Sequence, residues 1–147
     1  MAAERRAEVT WNGDLMSGSG TIDSVGSGAF APLDVSWPAR SEERSGAKTS
    51  PEELIAAAHA SCFSMALAHG LAQAGNAPER LATSATVTFV PGTGITKIAL
   101  AVEGSVPGLD DAGFREAAEG AKANCPVSQA LAGVGEITVD ARLASGG

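Results

Sequence analysis

One segment constrains this chain more than any other: a helix that begins at Pro51 and is apolar on nearly every side. Ser50 fits the N-cap, Pro51 fits the first helical position, and Glu53 fits the third position of a capping box. Apolar residues continue to about Ala74, and Gly75-Asn76 ends the helix. A helix without a polar face is buried in a core or in an interface. The pattern therefore predicts a central helix that other parts of the protein must cover.

Segments of alternating polarity before and after this helix predict strands. Residues 7–40 read as two or three short strands in hairpins, and Ser41–Ser50 reads as a loop. After the helix, residues 86–89 alternate, 91–94 turn the chain, and 98–106 place apolar residues on one face of a second strand. The mixture predicts an α+β fold with antiparallel sheet. A length of 147 residues fits one domain over residues 1–147.

The C-terminal third predicts two helices and a last strand. Asp110 can cap a helix that runs to Ala121, and Asn124-Cys125-Pro126 interrupts it. Pro126 fits the first position of a new short helix that reaches Leu131. Alternation from residue 137 to 143 predicts the strand. Cys125 is therefore expected near a helix N-cap.

Composition excludes several partners. A net charge of −7 and only 4% aromatic residues disfavour nucleic acid, which attracts basic surfaces and aromatic platforms. The N-terminus carries charges of both signs and no apolar run, so no secretory signal is expected there. We judge that no apolar stretch approaches the roughly 20 residues needed to span a bilayer. The sequence thus predicts a cytoplasmic protein with no membrane partner.

The two cysteines leave several interpretations open. Cys62 lies mid-helix among apolar residues, where a free cysteine is commonly an inert buried side chain. Cys125 lies near the positive end of a helix dipole, which favours a thiolate. The pair is also compatible with a structural disulfide, with coincidence, or with half of a zinc site completed by His59 and His69. His59 by itself is more typical of a core or interface histidine than of a base.

Two long motifs resemble the OsmC/Ohr family of hydroperoxide reductases. The similarity also includes residues 11–13, 95–100 and 106–108, so it covers nearly the whole chain. The two motifs are Thr49-Ser50-Pro51-Glu52-Glu53-Leu54-Ile55-Ala56-Ala57-Ala58-His59-Ala60-Ser61-Cys62-Phe63-Ser64-Met65-Ala66 and Ala121-Lys122-Ala123-Asn124-Cys125-Pro126-Val127-Ser128-Gln129-Ala130.

The resemblance implies a role for each of four residues. Cys62 matches the family's peroxide-attacking cysteine and Cys125 its resolving cysteine, so the pair would form a disulfide. Glu52 and Arg40 match the pair that activates the first cysteine, and the position of Arg40 favours the OsmC branch. Arg44 is a second candidate for the activating arginine.

The family also implies an intertwined homodimer and an oxidative stress function. The expected substrates are organic hydroperoxides, with hydrogen peroxide as a further candidate, and the expected reductant is a dithiol such as a lipoyl protein. No cofactor or metal is expected. The rival hypothesis is a stress-related binding module for a hydrophobic ligand with inert cysteines. Counting thiols after stoichiometric hydroperoxide distinguishes the two.

Elementary chemistry agrees with these roles. A thiolate in an apolar helix needs a nearby cation, and Glu52 could hold an arginine fork by a bidentate pair. Helix geometry separates Glu52 from Cys62 by roughly 15 Å along the axis and about 80° around it. We therefore expect Arg40 and Glu52 of one chain to serve Cys62 and Cys125 of the other.

Overall fold

The computed structural model describes residues 2–42 and 46–144 of the chain, which forms two compact units, Met1–Leu54 and Ile55–Gly147. The first unit contains a three-stranded antiparallel sheet with strand order β1-β2-β3. The strands are β1 (Ala7–Asn12), β2 (Ser19–Val25) and β3 (Leu33–Val35). The prediction of short hairpin strands before residue 40 is confirmed, while a single domain over residues 1–147 stays a prediction.

A short helix, α1 (Trp37–Ser41), follows the sheet and was not predicted. The Ser36 side chain caps it by accepting a hydrogen bond from the Ala39 backbone N–H at 3.2 Å, and Pro38 lies in its first turn. Arg40 lies in the last turn. Five residues give no detectable periodicity, so only the Ser-Trp-Pro sequence could have indicated this helix. The helix replaces the end of the range 7–40 that we predicted as strands, and it takes only Ser41 from the predicted loop.

The central helix, α2 (Pro51–Gln73), has the bounds that its caps predict. Ser50 Oγ accepts a hydrogen bond from the Glu53 backbone N–H at 3.2 Å. The Glu53 carboxylate accepts from the Thr49 hydroxyl at 2.7 Å instead of completing the expected capping box. At the other end Gly75 has a φ of +87°, and the Asn76 N–H donates to the Leu71 carbonyl at 2.8 Å. This is a Schellman motif, for which glycine is the favoured residue.

The second unit contains a sheet of strand order β4-β5-β6. Two helices connect β5 to β6 along the chain. These elements are β4 (Arg80–Val90), β5 (Gly94–Ser105), α3 (Asp111–Asn124), α4 (Pro126–Ala130) and β6 (Glu136–Leu143). The α+β class is confirmed. The expectation of wholly antiparallel sheet is wrong for one pair, because β5 and β6 are parallel. Parallel neighbours need a long crossover, and α3 with α4 provides it.

The core of the second unit forms where α2 and α3 pack with this sheet. The α2 residues that are buried within this unit recur at every fourth position: His59, Phe63, Leu67 and Leu71. Phe114 of α3 is fully buried close to Gly104 of β5, where an added Cβ would lie 2.5 Å from its ring. The other core members are Leu100, Val102, Val106, Ala118, Ala121, Cys125 and Ala141.

The apolar character of α2 corrects one expectation from the sequence. By length and composition alone, Pro51–Gln73 is long and apolar enough to cross a membrane, although we expected no such stretch. A helix from the core of a water-soluble protein meets the same criteria. Here the Ser64 hydroxyl of α2 hydrogen-bonds the Thr83 hydroxyl of β4 at 2.7 Å, which ties the helix to the sheet. Only 22% of its apolar window is buried within the chain, so much of its surface stays uncovered.

Candidate active site

The first unit brings Arg40 to Glu52. Arg40 Nε donates to Glu52 Oε1 at 2.8 Å, with the Glu52 side chain only 7% exposed. Glu52 Oε2 is buried and has no hydrogen-bond partner among the residues that the structure describes. The expected bidentate pair is therefore a pair in which only one carboxylate oxygen is bound. Arg44, the alternative arginine, lies outside the described residues.

The second unit brings the two cysteines together. Cys62 lies in the middle of α2 and is partly exposed, whereas Cys125 is fully buried. Both are free thiols, and each lies close enough to the other to shift its pKa. Two thiols this close can form a disulfide once one of them is oxidised to a sulfenic acid.

The surroundings of Cys62 disfavour its thiolate. Burial raises the pKa of the Cys62 thiol above its usual value, and the hydrogen bond with Cys125 raises it further. The backbone N–H of Val127 acts in the opposite direction but is the weaker influence. Among the residues that the structure describes, no cation contributes to the pKa of Cys62, although an acidic cysteine needs one nearby.

The surroundings of Cys125 favour its thiolate. Burial is the largest single influence and raises the pKa of this thiol. Polar neighbours of the sulfur together outweigh burial and bring the pKa below its usual value; in order of influence they are the Ser128 backbone, the Cys62 thiol, the Ser128 side chain and the Val127 backbone. Cys125 is the N-cap residue of α4, as the sequence predicts, and Val127 and Ser128 belong to the first turn of that helix.

His59 has a partner that the sequence did not indicate. The ring is fully buried, and its Nε2 lies 2.7 Å from Ser128 Oγ. Nδ1 is buried with no partner in the described part of the chain. Burial lowers the pKa of His59, so the neutral ring is favoured. The available signal was the position of Ser128, three residues after Cys125 at the start of α4, but its contact is 69 residues away in sequence.

The zinc hypothesis has no geometric support. Over residues 2–42 and 46–144, no three His, Cys, Asp or Glu side chains cluster closely enough to hold a metal ion. His59 hydrogen-bonds Ser128, and His69 lies on an exposed part of α2. The structure instead shows two neighbouring free thiols in one unit and an arginine–glutamate pair in the other.

Comparison with known proteins identifies the class. The family model of OsmC-like proteins matches residues 44–140, which is more than half of the chain. The chain therefore belongs to the OsmC family. Among curated relatives, peroxiredoxin OsmC of Escherichia coli strain K12 is 43% identical over 148 aligned residues, which cover 99% of this chain and 100% of that protein.

Solved structures of the family share the fold. The organic hydroperoxide resistance protein OhrB of Bacillus subtilis superposes with a TM-score of 0.61 at 26% identity, covering 95% of this chain and 98% of that chain. An OsmC-like protein from Mycoplasma pneumoniae superposes with a TM-score of 0.71 at 17% identity, covering 97% and 99%. The full-length similarity to OsmC itself agrees with the branch that the position of Arg40 favours.

Proposed function

We propose that this chain reduces organic hydroperoxides with Cys62 as the attacking thiol and Cys125 as the resolving thiol. The enzyme class, a peroxidase that protects against oxidative stress, follows from membership of the OsmC family and from full-length similarity to a peroxiredoxin. A peroxide substrate and a thiol reductant belong to that class. The single observation that carries the residue assignment is the contact between two free thiols, of which only Cys62 is open to solvent.

The proposed reaction has three steps. The Cys62 thiolate attacks the outer oxygen of the hydroperoxide, the O–O bond breaks, and the leaving alkoxide takes a proton to become an alcohol. The Cys125 thiolate then attacks the Cys62 sulfenic acid, the S–O bond breaks, and the leaving hydroxide takes a proton to become water. An external dithiol finally reduces the Cys62–Cys125 disulfide by thiol–disulfide exchange and is itself oxidised.

The first step requires an activating cation, because the surroundings of Cys62 raise the pKa of its thiol. Arg40 is the proposed source, with Glu52 holding its guanidinium through the 2.8 Å contact. A guanidinium is always charged and offers several donors, so it can stabilise the thiolate and donate to the leaving oxygen.

We further propose an intertwined homodimer in which Arg40 and Glu52 of one chain serve the thiols of its partner. Glu52 and Cys62 lie on one helix, separated by roughly 15 Å along its axis. The uncovered apolar surface of α2, with Met65 71% exposed, gives a second copy a face to bury. An obligate interface of this kind typically buries more than about 2,000 Å² in total.

Heterodimers test the shared site directly. One chain carries Cys62→Ser and the other Arg40→Ala, and each parent homodimer is inactive or nearly so. A shared site leaves one active site per heterodimer with both wild-type residues, so about half of the wild-type activity returns. Purified heterodimers without peroxidase activity would exclude the shared site, while leaving the peroxidase class intact.

We further propose a dithiol reductant and a cytoplasmic location. A disulfide that involves a buried Cys125 is reached most easily through Cys62, which favours a slender dithiol such as a lipoyl group on a carrier protein. A redox cycle of this kind suits the reducing cytoplasm. Steady-state turnover of an alkyl hydroperoxide and of hydrogen peroxide, each with dihydrolipoamide or a thioredoxin system, tests both substrate and reductant. Faster turnover with thioredoxin would exclude the lipoyl partner.

A further inference from the structure

A buried polar chain leads from α2 to the resolving cysteine. His59 Nε2 lies 2.7 Å from Ser128 Oγ, and both side chains are buried. Ser128 is the third residue of α4, whose N-cap is Cys125, and its side chain lowers the pKa of the Cys125 thiol. The side chains of N-cap and third residues lie side by side at a helix start, so His59, Ser128 and Cys125 form one row of neighbouring groups. The peroxidase mechanism described above gives the first two no task.

The unpaired ring nitrogen indicates which tautomer is present. A buried N–H without an acceptor is rarer in proteins than a buried acceptor without a donor. Since Nδ1 has no partner among the described residues, the proton belongs on Nε2, where it can be donated to Ser128 Oγ. An oxygen that accepts this bond is left with its own hydrogen to donate. The Cys125 sulfur, at the start of the same short helix, is the neighbouring group that can accept it.

We propose that His59 is a positioning residue that donates from Nε2 to Ser128 and so directs the Ser128 hydroxyl hydrogen onto Cys125, stabilising the thiolate of the resolving cysteine. The inference rests on the proposed redox roles of Cys62 and Cys125. A stabilised Cys125 thiolate serves both halves of the cycle. More of the thiol is ionised for attack on the Cys62 sulfenic acid, and the sulfur leaves more easily when a dithiol attacks the disulfide.

The row of His59, Ser128 and Cys125 fixes the orientation of the Ser128 hydroxyl, and no proton needs to move along it. Burial favours neutral His59, and a ring closed off from solvent has no route for releasing a proton. Its role is therefore that of a fixed donor. A glutamine amide can replace a fixed donor near the Nε2 position, but it cannot replace a base. This difference makes the proposal testable with conservative substitutions.

The first experiment measures the ionisation of Cys125 alone. In a Cys62→Ser background, the ultraviolet absorbance of the thiolate is titrated for His59→Leu, His59→Gln, Ser128→Ala and Ser128→Thr. We expect Leu and Ala to raise the titration midpoint by about one pH unit, because a hydrogen bond to the charged form is lost. Gln and Thr should restore the midpoint to within a small fraction of that rise.

Ser64→Ala is the matched control. Ser64 is another hydroxyl of the second unit; it lies on α2, is partly buried, and has Ala60 and Thr83 as its partners. Its removal should leave the Cys125 midpoint unchanged. If His59→Gln shifts the midpoint as far as His59→Leu does, the donor role is wrong. If Ser128→Ala leaves the titration midpoint of Cys125 unchanged, the Ser128 hydroxyl does not stabilise the Cys125 thiolate, and the proposal is wrong.

The second experiment separates the two oxidation steps. In single turnovers with an alkyl hydroperoxide, His59→Leu and Ser128→Ala should leave Cys62 oxidation unchanged and slow disulfide formation about threefold at neutral pH. One unit of thiol pKa lowers the thiolate fraction about tenfold, and the greater nucleophilicity of the more basic thiolate offsets part of that loss. Equal slowing of both steps would indicate general damage to the fold and overturn the proposal. The titration needs no peroxidase activity, so a parent protein that consumed no peroxide would refute the proposed function alone.

Discussion

Cys62 and Cys125 are in contact, yet their surroundings differ in almost every respect. Cys62 lies mid-helix, is partly exposed and has a raised pKa; Cys125 begins a helix, is fully buried and has a lowered pKa. Acidity alone would make Cys125 the nucleophile, whereas access favours Cys62. The contrast teaches that acidity and access can favour different thiols of one pair, and that Cys62 can act as the nucleophile only with activation from outside its immediate surroundings.

The largest expected effect comes from removing each thiol in turn. Cys62→Ser should abolish peroxide consumption, because buried Cys125 cannot be reached by the substrate. Cys125→Ser should give one fast turnover and then stop at a Cys62 sulfenate, since resolution needs the second thiol. Rapid-mixing kinetics with a sulfenate-trapping reagent measures both. Fast oxidation of Cys125 in Cys62→Ser protein would reverse the assignment.

Arg40 should account for the next largest effect. Arg40→Ala should slow the oxidation of Cys62 by about 10²–10³-fold, the usual loss when a donor directed at developing charge is removed. Formation of the disulfide after oxidation should be unaffected. Arg142→Ala is the control, because that arginine pairs with Asp140 on an exposed strand. Unchanged Cys62 oxidation in Arg40→Ala would transfer the activating role to another cation.

The burial of Cys125 depends on how closely α3 approaches the sheet. Gly104→Ala places a Cβ 2.5 Å from the Phe114 ring, so we expect a loss of about 1–3 kcal/mol in the free energy of unfolding. Alkylation of Cys125 in Cys62→Ser protein should become faster at the same time. Gly120→Ala, with no atom within 4 Å of the added Cβ, is the control for a glycine replacement on α3 itself. Denaturant unfolding and alkylation rates together test this prediction.

The smallest effect should be on the pH dependence of stability. A lowered folded-state pKa means that Cys125 adds stability above its unfolded-state pKa, and that this stability is lost as pH falls through the folded-state value. A raised pKa means that the Cys62 contribution is present below its unfolded-state value and is lost as pH rises through the folded-state value. In mildly alkaline solution, Cys62→Ser protein should therefore gain stability and Cys125→Ser protein should lose it. Identical trends would contradict the opposite pKa directions.

Local signals explain what the sequence could predict. The bounds of α2 depend on Ser50 and Gly75, which act on their immediate neighbours, and both ends lie within a residue of the prediction. The N-cap position of Cys125 depends on Pro126 and was also predicted. The resemblance singled out Arg40 and Glu52, and the structure brings them into contact. The functional roles of these residues stay proposals.

Long-range contacts explain what the sequence could not predict. Alternation along β6 shows which residues face the core, but it does not show whether the neighbouring strand runs in the same direction. The Ser128 hydroxyl contacts His59, which lies 69 residues away along the chain, so no local pattern predicts this pair. Arg40 contacts one carboxylate oxygen of Glu52 where we expected two contacts. The number of contacts depends on the direction from which the Arg40 side chain approaches, and a sequence pattern does not predict that direction.

The parallel pairing of β6 has a consequence for the order in which the chain folds. The β4–β5 hairpin closes a short loop, whereas β6 can dock only after the whole α3–α4 crossover has been drawn back to the sheet. Closing the longer loop costs more chain entropy and is expected to come later. Cys125 belongs to that late-arriving segment. We therefore expect the native contact between the two sulfurs to be among the last parts of this unit to form.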